Sequence, residues 1–191
     1  MSLPFQWDDG PEAGAWIASR LGPFGAALGH AVPLGYEGYA IVPIPWDEDE
    51  DDDAESPSIT VTDALLDVLA PVTGDQPVHC GLWDGWGWLA DAGEQIAAHQ
   101  LERPAADPLE LPHRRYHLWS GPLRSVLALR DDGAAPPSLI WPEDRSWFVG
   151  VPIYTNEIAV GGGAELIEAI LADPRLAARR GSPDDLLDHD D

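Results

Sequence analysis

The sequence predicts an α+β fold: one domain with an antiparallel or mixed sheet, hairpins at about 78–90 and 138–154, and helices at about 11–21, 63–70 and 164–172. Three observations carry this. Aromatic and β-branched runs mix with helical-period runs, without the strict strand–helix alternation of a doubly wound fold. Asp84-Gly85 and Pro142–Arg145 sit between apolar runs, as hairpin turns do. The 191 residues, 45% hydrophobic with nine Trp, suffice to bury one core.

Taken in order, Pro11-Glu12 opens the first helix, Trp16, Ile17 and Leu21 share its face, and Gly22-Pro23 stops it. "GYEGYAIVPIPW" (35–46) reads as a strand, placed at an edge because of its prolines. An acidic stretch at about 47–57 reads as a solvated, disordered loop. Thr62 suits the N-cap of a helix over 63–70, with Leu65, Leu66 and Leu69 as its stripe.

In "HCGLWDGWGW" (79–88) a type I′ turn at Asp84-Gly85 would set Trp83 opposite Trp86 and Gly81 opposite Trp88. One face would then carry His79, Gly81 and three tryptophans, the other Val78, Cys80, Leu82 and Leu89. Residues 91–112 read as an excursion with a short helix at 93–101, and 114–119 as a strand. "SLIW" (138–141) and "SWFVGVPIY" (146–154) flank the second turn. A strand at 157–160 leads through three glycines into helix 164–172, with Leu166, Ile167, Ile170 and Leu171 inward and Asp173-Pro174 as its stop. The globular domain is placed at 1–180, with 181–191 as a disordered acidic tail.

The chain has 34 acids, ten arginines and no lysine, for a net charge of -24. The run at 47–55 and the tail hold thirteen of those acids, yet 21 remain against ten arginines, so the body itself is acidic. Such a surface repels nucleic-acid phosphates and anionic lipid, which disfavours nucleic acid and membrane as partners. The single cysteine, Cys80, allows no internal disulfide and no cysteine-based zinc site. The N-terminus lacks the pattern of a signal peptide, and a cytoplasmic protein is expected.

"VPLGYEGYAIV", "LWDGWGWL", "YHLWSGPL" and "WPEDRSWFVGVPIYTNEIAVGG" resemble, in this order, an actinobacterial protein family without an assigned activity. The likeness covers about residues 30–185 and rests on W-D/E-G-x-G, Y-x-L-x-x-G-P-L and W-P-x-D-R-x-W…V-G-G motifs. It implies a shared fold and supplies no catalytic residues. Relatives often carry Arg and His where this chain has Ile41 and Ile44, and acids where it has Pro152 and Tyr154. A site built from those groups would be absent here.

Candidate chemistry is sparse. Trp83, Trp86 and Trp88 suit a binding platform or a packed core. Trp141, Asp144, Arg145 and Trp147 surround a turn that suits a partner anchor, with Arg145 free to stack on Trp141 or Trp147. His113 and His117 form an incomplete ligand set, the acidic run lacks calcium-loop spacing, and "VGGGAEL" lacks a P-loop's lysine, so no metal or cofactor is expected. No catalytic residue stands out. The preferred expectation is a non-catalytic module whose acidic surface binds a basic protein, as an immunity protein neutralises a toxin. The alternative is a small-molecule binder or hydrolase, with a pocket near the Trp hairpin and Asp144-Arg145 and using His113 or His117.

Overall fold

The computed structural model describes residues 3–45, 56–86, 89–91, 101–112, 114–129, 136–153 and 155–187. The expectations for the acidic run, for helix 93–101, for Trp88, His113 and Tyr154, and for 188–191 fall wholly or largely outside these residues.

The strands among them are β1 (Gln6–Trp7), β2 (Gly38–Pro43), β3 (Val78–Trp83), β4 (Leu89–Ala90), β5 (Leu101–Glu102), β6 (Leu109–Leu111), β7 (Arg114–Gly121), β8 (Leu139–Pro142), β9 (Trp147–Gly150), β10 (Glu157–Gly162) and β11 (Arg179–Gly181). The helices are α1 (Leu28–Ala31), α2 (Pro57–Thr73) and α3 (Ala164–Ala172), with short 3-10 turns at Glu12–Gly14, Ala18–Arg20 and Leu123–Leu127. One sheet runs β1-β7-β3-β8-β9-β10-β2-β11, with β6 also on β7, and its pairings are antiparallel. The fold is α+β. No described helix is long and apolar enough to cross a membrane.

Strand alternation gives the sheet two apolar faces. Val78, Cys80 and Leu82 of β3, Ile158 and Val160 of β10, and Trp147 of β9 face α2 and α3. Leu65, Leu66 and Leu69 of α2 are buried on that side, each worth about 1.5–3 kcal/mol of apolar burial. Tyr39 and Ile41 of β2, Trp141 of β8 and Phe148 of β9 face the other way, under Ile17, Leu28, Val32 and Leu187. Helices α2 and α3 therefore cover one face, and the segment from Ile17 to Val32, α1 included, covers the other with the last described residues.

Helix α2 starts earlier and ends later than the sequence suggests. Pro57 occupies its first turn, where a missing N–H costs nothing, and Gly74 at φ 59° ends it. Thr62 is not a cap: it lies buried inside the helix. Pro71 is tolerated because only the final turn follows it. Helix α3 has its expected bounds, Gly163 preceding it and Asp173 following. Over 11–21, however, no continuous helix forms; Gly14 packs against Leu109 and Leu118, and two separate 3-10 turns follow the surface there.

The hairpin expected at 78–90 does not form. Trp86 N–H does reach Trp83 C=O, at 3.2 Å, so the chain turns at Asp84-Gly85. Neither residue has positive φ, so the turn is not type I′ and its twist does not return the chain alongside β3. β7 and β8 occupy the two sides of β3 instead, and β4 pairs in parallel with β5. Gly81 faces Leu118 and Leu139, and the room it leaves is filled by the Leu139 side chain. The second hairpin does form, with Leu139 opposite Gly150 and Ile140 opposite Val149.

β2 is not an edge strand: β10 flanks it on one side and β11 on the other. The segment expected to be a loose tail from 181 is held through residue 187. Gly181 belongs to β11, Leu187 is buried, and Leu28 N–H and Gly29 N–H donate to Asp185 and Pro183 carbonyls.

Candidate functional site

At one end of the sheet β3 begins, β7 ends, and the β8–β9 turn projects, which gathers polar groups from distant parts of the chain. His79 points to the face opposite Val78 and Cys80, next to its cross-strand neighbours Ser120 and Trp141. Its Nε2 lies 2.6 Å from Glu143 Oε2, and its Nδ1 lies 3.6 Å from Asp8 Oδ2, an ionic contact beyond hydrogen-bond reach. The imidazole stacks on the Trp141 indole, centroids 5.4 Å apart. The Asp8 carboxylate raises the His79 pKa most, burial opposes it, and Glu143 raises it further; the net shift is upward.

Ser120 Oγ donates to Asp8 Oδ1 at 2.9 Å. The order is serine to aspartate to histidine, so the imidazole is not placed to take the serine's proton as a catalytic triad requires. Two carboxylates bracket the ring here and favour its protonated form, an arrangement that holds charge rather than moving a proton.

The β8–β9 turn is fastened on several sides. Arg145 N–H donates to Pro142 C=O at 2.9 Å, and Ser146 N–H donates to Asp144 Oδ1 at 2.9 Å. Gln76 accepts from Asp144 N–H at 3.0 Å and donates through Nε2 to Asp144 Oδ2 at 3.1 Å. Burial opposes it, but the donors from Ser146 and Gln76 hold the Asp144 pKa below the usual carboxylate range. Arg145 sits at φ 58°, in the left-handed region. Its guanidinium stacks on neither Trp141 nor Trp147 but lies over Trp16, 5.1 Å from the ring centroid.

Asp8 and Glu143 flank His79, Asp144 lies in the same turn as Glu143, and Asp9 and Asp75 are the chain neighbours of Asp8 and of the Gln76 that holds Asp144. Among the described residues no arginine pairs with any of them. All but Asp8 are exposed. Other carboxylates are tied to arginine, as Asp67 is to Arg124 and Arg175, and Glu157 to Arg179.

The candidate tryptophans separate. Trp141 and Trp147 are buried, on opposite faces of the sheet. Trp141 stacks on Phe148, centroids 5.8 Å apart, and Trp147 donates its indole N–H to Thr73. Neither offers a surface to a partner. Trp83 and Trp86 are half-buried and meet edge to face across their turn at 5.6 Å.

A second polar cluster gathers on Asp84, the residue after β3. The Asp84 carboxylate pairs with Arg103, with Arg115 at 2.7 Å and with His117 Nε2 at 3.1 Å, while Arg103 also meets Asp91. Burial, then Arg103 and Arg115, lowers the His117 pKa, so the ring is held neutral. His117 is opposite Leu82 on the helix side, away from His79. The residues of the hydrolase reading that the structure describes therefore do not converge. Trp86 lines a cleft of about 270 Å³ with Pro57, Ser138 and Pro152, a cleft to which neither Asp144 nor Arg145 contributes.

Asp8, Trp16, Arg20 and Gln76 belong to the sheet-end region without having been singled out from sequence. His79 carried a usable signal, as the polar residue between Val78 and Cys80 in an alternating strand. Asp8 carried none, because its partners lie dozens of positions away. No family model, no curated protein and no solved structure matches the chain.

Proposed function

We propose that the chain is a non-catalytic protein-interaction module that binds a basic protein through the acidic end of its sheet. The observation that supports this is the pair of carboxylates, Asp8 and Glu143, that flanks His79 beside the fastened Asp144 turn, with no arginine among the described residues paired to any of the three, whereas Asp67, Asp84 and Glu157 are held by arginine. Fixed charges of one sign on a rigid turn steer an oppositely charged partner and set its orientation. The turn is rigid because Gln76, Ser146 and the Pro142 carbonyl all hold it. Neutralisation of a basic toxin-like partner is one form of this activity, set in the cytoplasm of an actinobacterium.

The test compares the native chain with an Asp9→Asn, Asp75→Asn, Glu143→Gln variant as affinity baits, eluted by a salt gradient. Retention of one defined basic protein by the native chain, and its loss with the variant, is the expected result. Equal retention by both baits, or no specific partner for either, would overturn the proposal.

A further inference from the structure

Two of the described arginines lie over an aromatic ring instead of beside a carboxylate. Arg103, Arg115, Arg124, Arg175, Arg179 and Arg180 are each paired with carboxylates. Arg20 and Arg145 are exposed and, among the described residues, have no carboxylate within salt-bridge distance. Instead both lie over one indole: their guanidinium carbons are 5.7 Å and 5.1 Å from the Trp16 ring centroid. The carboxylate adjacent in sequence, Asp144, is turned away, its two oxygens taken by Ser146 N–H and Gln76 Nε2.

The rest of the arrangement holds these groups in place. Trp16 stands edge-to-face on Trp141 at 6.4 Å and on Phe148 at 6.0 Å, so its ring is seated on the core. Arg145 has φ 58°, a conformation that glycine or asparagine adopts readily and arginine only at a cost. That backbone is fixed by the Tyr36 hydroxyl, which donates to Arg145 C=O at 3.2 Å. Strained positions of this kind persist where the surroundings over-determine them, and they concentrate at binding sites. A guanidinium that lies over an indole keeps N–H groups turned away from the ring, and these can grip the oxygens of a carboxylate or phosphate.

We infer that Arg20 and Arg145, steadied on Trp16, form an oxyanion-binding site for a carboxylate or phosphate group. A doubly charged phosphate, with three equivalent oxygens, suits two guanidiniums better than a carboxylate does. The chain's overall negative field does not prevent this at physiological salt, where charges beyond about 8 Å are largely screened. The site shares the β8–β9 turn with the acidic rim, but its test reads the two arginines and Trp16, so neither proposal falls with the other.

The experiment follows the arginine Nε–H and tryptophan indole N–H resonances of the full-length, isotope-labelled chain. Inorganic phosphate and acetate are titrated separately at constant ionic strength, with chloride as the balancing ion. Saturable shifts of the Arg20, Arg145 and Trp16 signals are expected, weakened about ten- to a hundredfold in Arg20→Gln and in Arg145→Gln. Saturation by phosphate alone assigns the site to phosphoryl groups; saturation by both, or by acetate alone, assigns it to carboxylates as well or instead. Shifts that stay linear with both anions, or that persist unchanged in Arg20→Gln with its amide spectrum native, would show that the stacked arginines serve only as packing and overturn the inference.

Discussion

The indole N–H of Trp147 donates to Thr73 Oγ1 at 3.1 Å, both groups fully buried, and thereby ties β9 to the last turn of α2. The same hydroxyl donates back to Leu69 C=O at 2.8 Å. One threonine thus satisfies a buried donor and a helical carbonyl together. Thr73→Val keeps the shape and leaves the indole N–H unpaired, which is expected to cost about 1–3 kcal/mol. Thr73→Ser should recover most of that. Urea unfolding of the two variants checks it; equal losses would mean that the hydroxyl has no part.

The two described histidine clusters titrate in opposite directions. The His79 pKa is raised by Asp8 first and by Glu143, against burial, so the stability it contributes is full below the unfolded value of about 6.5 and is lost as pH rises through its folded value. The His117 pKa is lowered, by burial first and then by Arg103 and Arg115, so its contribution is present above about 6.5 and lost as pH falls through its folded value. His79→Gln should therefore flatten the alkaline side of the stability–pH curve and leave the acid side sloping. Ring-proton titrations by NMR give the direct reading: His79 must titrate at higher pH than His117, and the reverse order would contradict the geometry.

Gly150 marks a place where two backbones touch. A Cβ there would lie 2.2 Å from the Ala31 carbonyl oxygen and 2.9 Å from its carbon, and α1 would have to move. Gly150→Ala should cost about 1–3 kcal/mol by thermal or urea unfolding. Gly25→Ala is the matched control, with nothing within 4 Å of its added carbon, and should stay within about 0.5 kcal/mol of the native chain.

The strain at Arg145 is measurable apart from any ligand. Both Arg145→Ala and Arg145→Gly lose the stack on Trp16, but only alanine keeps a Cβ at φ 58°. The alanine variant should be less stable than the glycine variant by about 1 kcal/mol. Identical stabilities would show that the turn relaxes once the guanidinium is gone.

Local chemistry was legible where it alone decides the outcome. Asp173-Pro174 ends α3 and Pro142–Arg145 turns β8 into β9, because each signal acts on its own backbone. The Asp84-Gly85 signal failed for a different reason. A turn does form, but strand partners are chosen by burial, and β7 and β8 bring apolar residues to both sides of β3 that β4 lacks the length to match. Thr62 was misread as a cap because a capping residue and a buried helical threonine look alike until a neighbouring face is known. The sheet-end site was hidden for the same reason as the strand order: Asp8, His79 and Glu143 meet only when three distant segments assemble.

Three residues near the C-terminal end of the described chain close the flank of β2. Arg179, Arg180 and Gly181 pair with Ile41, Ala40 and Tyr39, and both arginines are anchored sideways, to Glu157 and Glu168. Without them, β2 would present a row of open amides and carbonyls beside residues that are apolar on both faces, a ready template for a strand from another molecule. β11 is in that sense a guard strand. Its cost is three residues, and what it prevents is the recruitment of one copy of the chain by the next.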